Sequence, residues 1–194
     1  MKSFSQITRA DLENDYQLII EGGNFLPSEI DPVAVPSWLE FIINSRRKNL
    51  KTMRNEKAIS EGLIAPILMA VQEIYKDKIS VYSGEPLATD ELWGVCDFLI
   101  TKDPNSFDPK GGYFILVEAK KNDLLSGVPQ CVAEMYAAQV LNKNDDLVYG
   151  CVSTGLEWLF IKLENKTAIT HLNVFTISEV NTILGIFGWI IKAA

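Results

Sequence analysis

The stretch from Tyr113 to Val117 is apolar at every position and runs directly into Glu118, Ala119 and Lys120. Successive residues of a strand point to opposite faces, so a strand with no polar side must be covered on both. Strands of that kind lie in the middle of sheets whose two faces carry helices. With 194 residues, 47% of them hydrophobic and 22% charged, the chain has the length and composition for one globular domain of this sort, and disorder is excluded.

The rest of the sequence supplies the layers. Residues 1–36 are acidic and broken by Gly22, Gly23, Pro27, Pro32 and Pro36, which reads as an N-terminal arm lying on the main domain, 37–194. Ser37 and Glu40 form a capping-box pattern that starts a helix. Helical character continues to about Lys76, with a break near Asn44 or Asn55, and Ile59, Leu63, Ile67, Ala70 and Ile74 fall on one face. Pro66 is placed to kink it. Strands are predicted at Ile79–Tyr82, Leu92–Ile100 and Tyr113–Ala119, then a helix from about Val128 to Leu141. Strands at Leu147–Ser153, Trp158–Leu163 and Ile169–Phe175 and a closing helix after Ser178 complete the chain. The order α, β, β, β, α, β gives an α/β fold, a mixed sheet flanked by helices.

Several function classes fall away. Cys96, Cys131 and Cys151 are odd in number and widely spaced, and His171 is the only histidine. A zinc cage, a disulfide framework and a Ser-His-Asp or Cys-His enzyme are therefore not expected, and a reducing cytoplasm fits. Met1 to Asp15 lacks the apolar core of a signal peptide, and the apolar run Ile183 to Ile191 is about half a bilayer span. No membrane role is indicated. That run, with Phe187 and Trp189, reads as core, or else as the contact of a homodimer.

An acid two residues before a lysine occurs at Asp108–Lys110, Glu118–Lys120 and Glu164–Lys166, as chance alone would supply. Context separates them. The first lies in a Pro/Gly turn and the third at a polar strand end, whereas Glu118 and Lys120 put a carboxylate and an ammonium side by side at the end of the central strand. Asp97 interrupts the apolar pattern of the preceding strand, and an antiparallel neighbour would bring it to Glu118. Two carboxylates at close range repel unless a cation lies between them. Oxygen ligands of this kind suit Mg²⁺ or Mn²⁺, with positions left for water and a phosphate. Glu56 is in phase with Ile59 and Leu63 and faces the sheet, while Glu61 points away. Gln130 opens the next helix, with Glu134 one turn on. Alone, Glu118 and Lys120 would make an ordinary same-face ion pair; the order Glu56, Asp97, Glu118, Lys120, Gln130 turns the reading toward chemistry.

That order resembles the PD-(D/E)XK nuclease superfamily, the restriction-endonuclease-like fold. The likeness covers about residues 50–163 and lies in the helical Glu56, the strand Asp97, the Glu118-Ala119-Lys120 strand and the helix with Gln130. Tyr149 to Trp158 is similar to the strand and turn that follow the core in the N-terminal nuclease domains of type I restriction subunits. The resemblance implies that Asp97, Glu118 and the Ala119 carbonyl ligate Mg²⁺ with help from Glu56, that Lys120 positions the attacking water or stabilises the transition state, and that Gln130 supports it. It implies a metal-dependent nuclease acting on DNA.

Taken whole, the net charge of −7 opposes such a partner. Residues 1–40, however, hold seven acids and two bases, and Arg46, Arg47, Lys48, Lys51, Arg54 and Lys57 crowd into twelve positions. They form a candidate phosphate-tracking stripe leading to Glu56. An arm lying over that stripe would mask it.

Overall fold

The computed structural model describes residues 1–104, 109, 112–143 and 147–193. The chain begins with strand β1 (Lys2–Ser3), helix α1 (Arg9–Asn14) and strand β2 (Ile19–Gly23), followed by helices α2 (Ser37–Lys48), α3 (Glu56–Ile59) and α4 (Ala65–Ile74). Next come β3 (Ser80–Ala88), β4 (Leu92–Thr101), β5 (Tyr113–Ala119), α5 (Leu124–Asn142) and β6 (Val148–Ser153). Strands β7 (Glu157–Glu164), β8 (Thr167–His171) and β9 (Phe175–Thr176) and helix α6 (Val180–Ala193) finish it. The fold is α/β: a nine-stranded mixed sheet in the order β1-β4-β5-β6-β7-β8-β2, with β3 on β4 and β9 on β7, carries helices on both faces. The run α4-β3-β4-β5-α5-β6 is the α, β, β, β, α, β order legible in the sequence.

Strand β5 is buried along its whole length, antiparallel to β4 on one side and parallel to β6 on the other. Ile115 and Val117 pack with Ile59, Leu63, Ile67, Ile183 and Phe187 on one face of the sheet. Leu116 packs with Cys131, Val132 and Met135 of α5 on the other. The apolar run of α6 belongs to the first of these cores, with Ile183, Leu184, Ile186, Phe187 and Ile190 all fully buried inside the chain. Among the described residues no helix is long and apolar enough to cross a membrane.

Residues 1–36 enter the sheet at both edges. Strand β1 runs parallel to β4 and β2 parallel to β8, so where the sequence suggests an arm the structure weaves the segment in. Phe4, Ile7, Leu12, Leu18 and Ile20 are buried in the α5-side core. A short acidic segment conceals these anchors because each is a single apolar residue among polar ones. It leaves the Arg46–Lys57 stripe exposed.

Local starts and stops differ from expectation for identifiable reasons. Ser37 caps nothing: the N-cap is Pro36, whose fixed φ of −59° sets the helix entry and whose carbonyl takes the Leu39 and Glu40 amides. Capping boxes form instead at Thr8 with Asp11 and at Thr176 with Glu179. The long helical stretch is broken between Asn49 and Asn55, and Asn55 caps α3 by accepting the Ala58 amide at 2.8 Å. A π-turn over Ser60–Ile64 leads without a break into α4, with Pro66 at the junction of the two. Helix α5 starts at Leu124 rather than near Val128, because Asp123 accepts the Leu125 amide and Pro129 is carried inside the helix. Gln130 therefore lies two turns in, not at the start.

If the N-terminal segment is structural, Leu12→Ala, at a site with no exposure, should destabilise the protein by about 2–5 kcal/mol. Urea unfolding measures this; a change below about 0.5 kcal/mol, the range of an ordinary surface substitution, would mean the segment merely rests on the domain.

Candidate active site

Strand β3 occupies one edge of β4 along nearly its full length, from Ser80 opposite Thr101 to Ala88 opposite Trp93. The other edge is shared: β5 pairs with Phe98–Thr101 and β1 with Leu92 and Trp93. Residues 94–97 lie in the gap. At Asp97 the hairpin also changes layers. Leu92 and Cys96 pack on the α5 side, while Phe98 and Ile100, of the same parity, pack on the other. Opposite Asp97 in the register stands Gly84, the one position of β3 with positive φ, at 71°, which a side chain would strain. Asp97 thus sits where two strands separate, half-buried, with an oxygen turned toward the end of β5.

The Ala119 amide closes that opening by donating to Asp97 Oδ2 at 2.8 Å. Beside it the Glu118 side chain is almost wholly buried, and Oε1 accepts from the Lys120 ammonium at 2.6 Å. Lys120 also donates to Gln130 Oε1 at 3.1 Å, and Gln130 Nε2 donates to Glu134 Oε1 at 3.2 Å. The Lys120 ammonium can only donate, so it takes the carbonyl end of Gln130 and leaves the NH₂ end for Glu134. The structure therefore joins Asp97, Glu118, Ala119, Lys120 and Gln130 in one network and adds Glu134, which has no exposed surface. Sequence reasoning noted Glu134 only as a neighbour of Gln130; an acid four residues along the buried stripe of α5 was the available signal.

Gly127 is a second addition. A Cβ there would stand 2.9 Å from Lys120 Cγ and 2.7 Å from Val152 Cγ1, so its bare Cα makes room for the lysine stem between helix and sheet. A glycine inside a helix costs about 1 kcal/mol relative to alanine, which marks such positions as places of close approach.

Electrostatics explains the tension in this network. Burial, then the negative charge of Asp97, pushes the Glu118 carboxyl up to about 7 against the pull of Lys120. Burial also raises Asp97, opposed by the Ala119 amide and Lys120, and raises Glu134 well above the ordinary carboxylate range, with Glu118 adding to it. Burial works against the Lys120 ammonium, but the Glu118 hydrogen bond and charge outweigh it and the group moves up. Among the described residues, Glu118 Oε2 and Glu134 Oε2 are buried without a hydrogen-bond partner. With three acids around one ammonium in a poorly solvated place, each further ionisation is costly, and the carboxyls hold their protons to higher pH.

The other predicted residues lie around this centre. Glu56 is exposed at the first position of α3, and its charge acts on Asp97, Glu118 and Lys120. Glu61 is exposed and reaches Lys57 at 3.9 Å. Arg46, Arg47, Lys48, Lys51, Arg54 and Lys57 are all exposed from the end of α2 to the start of α3. The competing tripeptides are elsewhere: Glu164 pairs with Lys162 at 3.0 Å, Lys166 lies over the Tyr136 ring, and Asp108 and Lys110 fall outside the described residues. The three cysteines are buried with thiols pushed upward by burial, and His171 is packed between Phe25 and Phe175.

Among the described residues no group of three or more His, Cys, Asp or Glu side chains is arranged to hold a metal ion. Asp97 and Glu118 do offer two hard oxygen donors at one point, with an orphaned Glu118 oxygen and a mutual repulsion that a cation would relieve, so the residues present fit a divalent ion of the Mg²⁺ type. No protein-family model matches the chain, and no curated protein matches it.

The raised Glu118 carboxyl sets the sign of a pH effect. It holds its proton in the folded state up to about pH 7, while the unfolded chain releases it near 4.5. Folding stability from this group is therefore lost as pH rises through that window, by roughly 3 kcal/mol at most. Denaturant unfolding without divalent metal at pH 5.5 and 8.5 should show wild type losing stability and Glu118→Gln losing clearly less. Parallel losses in both proteins would contradict the assignment.

Proposed function

We propose that the protein is a metal-dependent nuclease that hydrolyses phosphodiester bonds in DNA, as the likeness of its motifs to the PD-(D/E)XK superfamily implies. The observation that carries the reading is the meeting of Asp97, Glu118 and Lys120 where β4 and β5 separate, with Lys120 held by Gln130. Asp97, Glu118 and the Ala119 carbonyl would hold Mg²⁺ or Mn²⁺, with Glu56 near enough to contribute charge. Such an ion polarises a phosphoryl oxygen and eases deprotonation of an attacking water.

The chain's own residues account for the rest. The Lys120 ammonium would stabilise negative charge on the phosphoryl group and orient water toward it. Gln130 limits where the ammonium can go, and Glu134 limits Gln130. The exposed stripe from Arg46 to Lys57 meets the DNA backbone, which makes binding salt-dependent. A cytoplasmic location belongs to the same reading. The closing helix, offered by the sequence as a homodimer contact, is packed inside the chain, and no dimer enters the proposal.

A second reading, a nuclease-fold module that binds nucleic acid or a protein without cutting, draws on one observation. The Glu118–Lys120 pair is closed at 2.6 Å, as a structural ion pair would be. One experiment separates the two. Supercoiled and linear DNA are incubated with Mg²⁺ or Mn²⁺ and wild type, Asp97→Asn, Glu118→Gln or Lys120→Ala. The nuclease reading expects cleavage by wild type and a loss of at least a hundredfold in each variant, on the scale of lost transition-state contacts. It also expects the metal to raise the wild-type Tm at pH 8 and to leave the Tm of Asp97→Asn unchanged. Cleavage that survives all three substitutions would contradict the mechanism; binding without cleavage would favour the module.

A further inference from the structure

Beside the proposed centre lies a cleft of about 710 Å³ that its chemistry does not use. Its position follows from topology. Strands β5 and β6 are parallel neighbours, and the Lys120 amide donates to the Ser153 carbonyl at 2.8 Å, which ties their carboxyl ends together. Ligands of open α/β sheets bind outside the carboxyl ends of parallel strands. Here Lys121 and Asn122 leave β5 and Thr154 leaves β6, and all three line the cleft. Lys120 lies on the α5 side against Gly127, whereas Lys121 turns to the opposite side, toward Ile59 and Leu63.

The lining has two characters. Met53, Ile59, Leu63 and Ile177 make an aliphatic floor. Arg47 and Lys121 stand above it, and among the described residues neither has a carboxylate partner. Glu157 is the one acid of the lining. The Thr154 hydroxyl accepts from the Glu157 amide at 3.1 Å and keeps its hydrogen free to donate. An apolar ligand would have no use for the two cations, and a bare phosphate none for the floor. A nucleotide uses both: its base lies on aliphatic side chains, its edge meets Asn122 and Thr154, and its phosphate meets Arg47 and Lys121. The volume is that of a small-ligand site, and a base can enter it only when unpaired, as in enzymes that take a nucleotide out of the stack. Arg47 also belongs to the exposed basic stripe, so a strand following the stripe arrives at the cleft before it reaches Glu118.

We infer that the cleft receives one unpaired nucleotide of the substrate strand beside the phosphate to be cut, which makes DNA with a single-stranded tail or junction, rather than blunt duplex, the preferred substrate. The inference rests on the nuclease reading above and gives it a substrate class.

Fluorescence anisotropy in EDTA tests it without requiring cleavage. The probes are a labelled hairpin duplex with a short single-stranded tail and a blunt hairpin of equal duplex length. Wild type should bind the tailed probe at least tenfold more tightly. Ser178→Trp, which fills the cleft from its exposed rim, and the double variant Arg47→Ala/Lys121→Ala should bring that ratio to within about twofold of one, with circular dichroism confirming the fold. Equal binding of the two probes by wild type, or a preference that survives both variants, would overturn the cleft assignment. Metal-dependent cleavage by the same protein would then show the nuclease reading standing without it. Failure of wild type to bind either probe at low salt would overturn the cleft assignment, while the cleavage assay alone decides the nuclease reading.

Discussion

The burial of the Glu118 carboxyl at the end of a strand covered on both faces is the constraint around which the molecule is organised. A carboxylate in that position is unstable unless something offsets its charge, and Lys120 on the same face of the strand offsets only one oxygen. Asp97, brought up by the antiparallel hairpin, makes the problem worse. A purely structural site would lose little by replacing these acids with apolar residues of similar size. The proposed cation site would give a use to keeping Asp97, Glu118 and Glu134 around one ammonium.

The surrounding fold serves this arrangement. Because β3 holds one edge of β4, and β1 and β5 divide the other, the backbone opens beside Asp97. Helix α5 supplies Gln130 and Glu134 from one layer, and Gly127 lets it approach closely enough to hold the Lys120 stem. The opposite layer contributes the exposed cations and Glu56. The acidic excess of residues 1–40 belongs to a segment built into the outer edges of the sheet, and the basic stripe between Arg46 and Lys57 remains open to solvent. Net charge is a poor guide here because the two signs are carried by different parts of the surface.

Much of this could be read from the sequence. The unbroken apolar run Tyr113 to Val117 implied a central strand, and the polar residues placed against that pattern, Asp97, Glu118 and Lys120, are those the structure brings together. Gln130 was found because it follows on the next helix. Other features were hidden for physical reasons. The capping signal at Ser37 lost to the fixed backbone of Pro36, and the helix expected from about Val128 starts at Leu124 because Asp123 caps it there. The π-turn over Ser60–Ile64 inserts a residue into the helical phase, so Glu56 could not be placed by counting from Leu63 and Ile67. Strands β1 and β2 are short and at the edges, where neighbours in space rather than periodicity decide pairing. Gly127 has no side chain, so only its close approach to Lys120 reveals it.

The proposed site makes Asp97 and Glu118 one binding point for a divalent cation next to Lys120. A titration with Mn²⁺, followed by paramagnetic broadening of backbone amide resonances at pH 8, tests that claim without assuming any reaction. The amides of Asp97, Ala119 and Lys120 should broaden first, at substoichiometric metal, and Asp97→Asn should abolish the effect. Broadening that begins at the exposed acids of residues 1–40, or that is unchanged in Asp97→Asn, would contradict the proposed site.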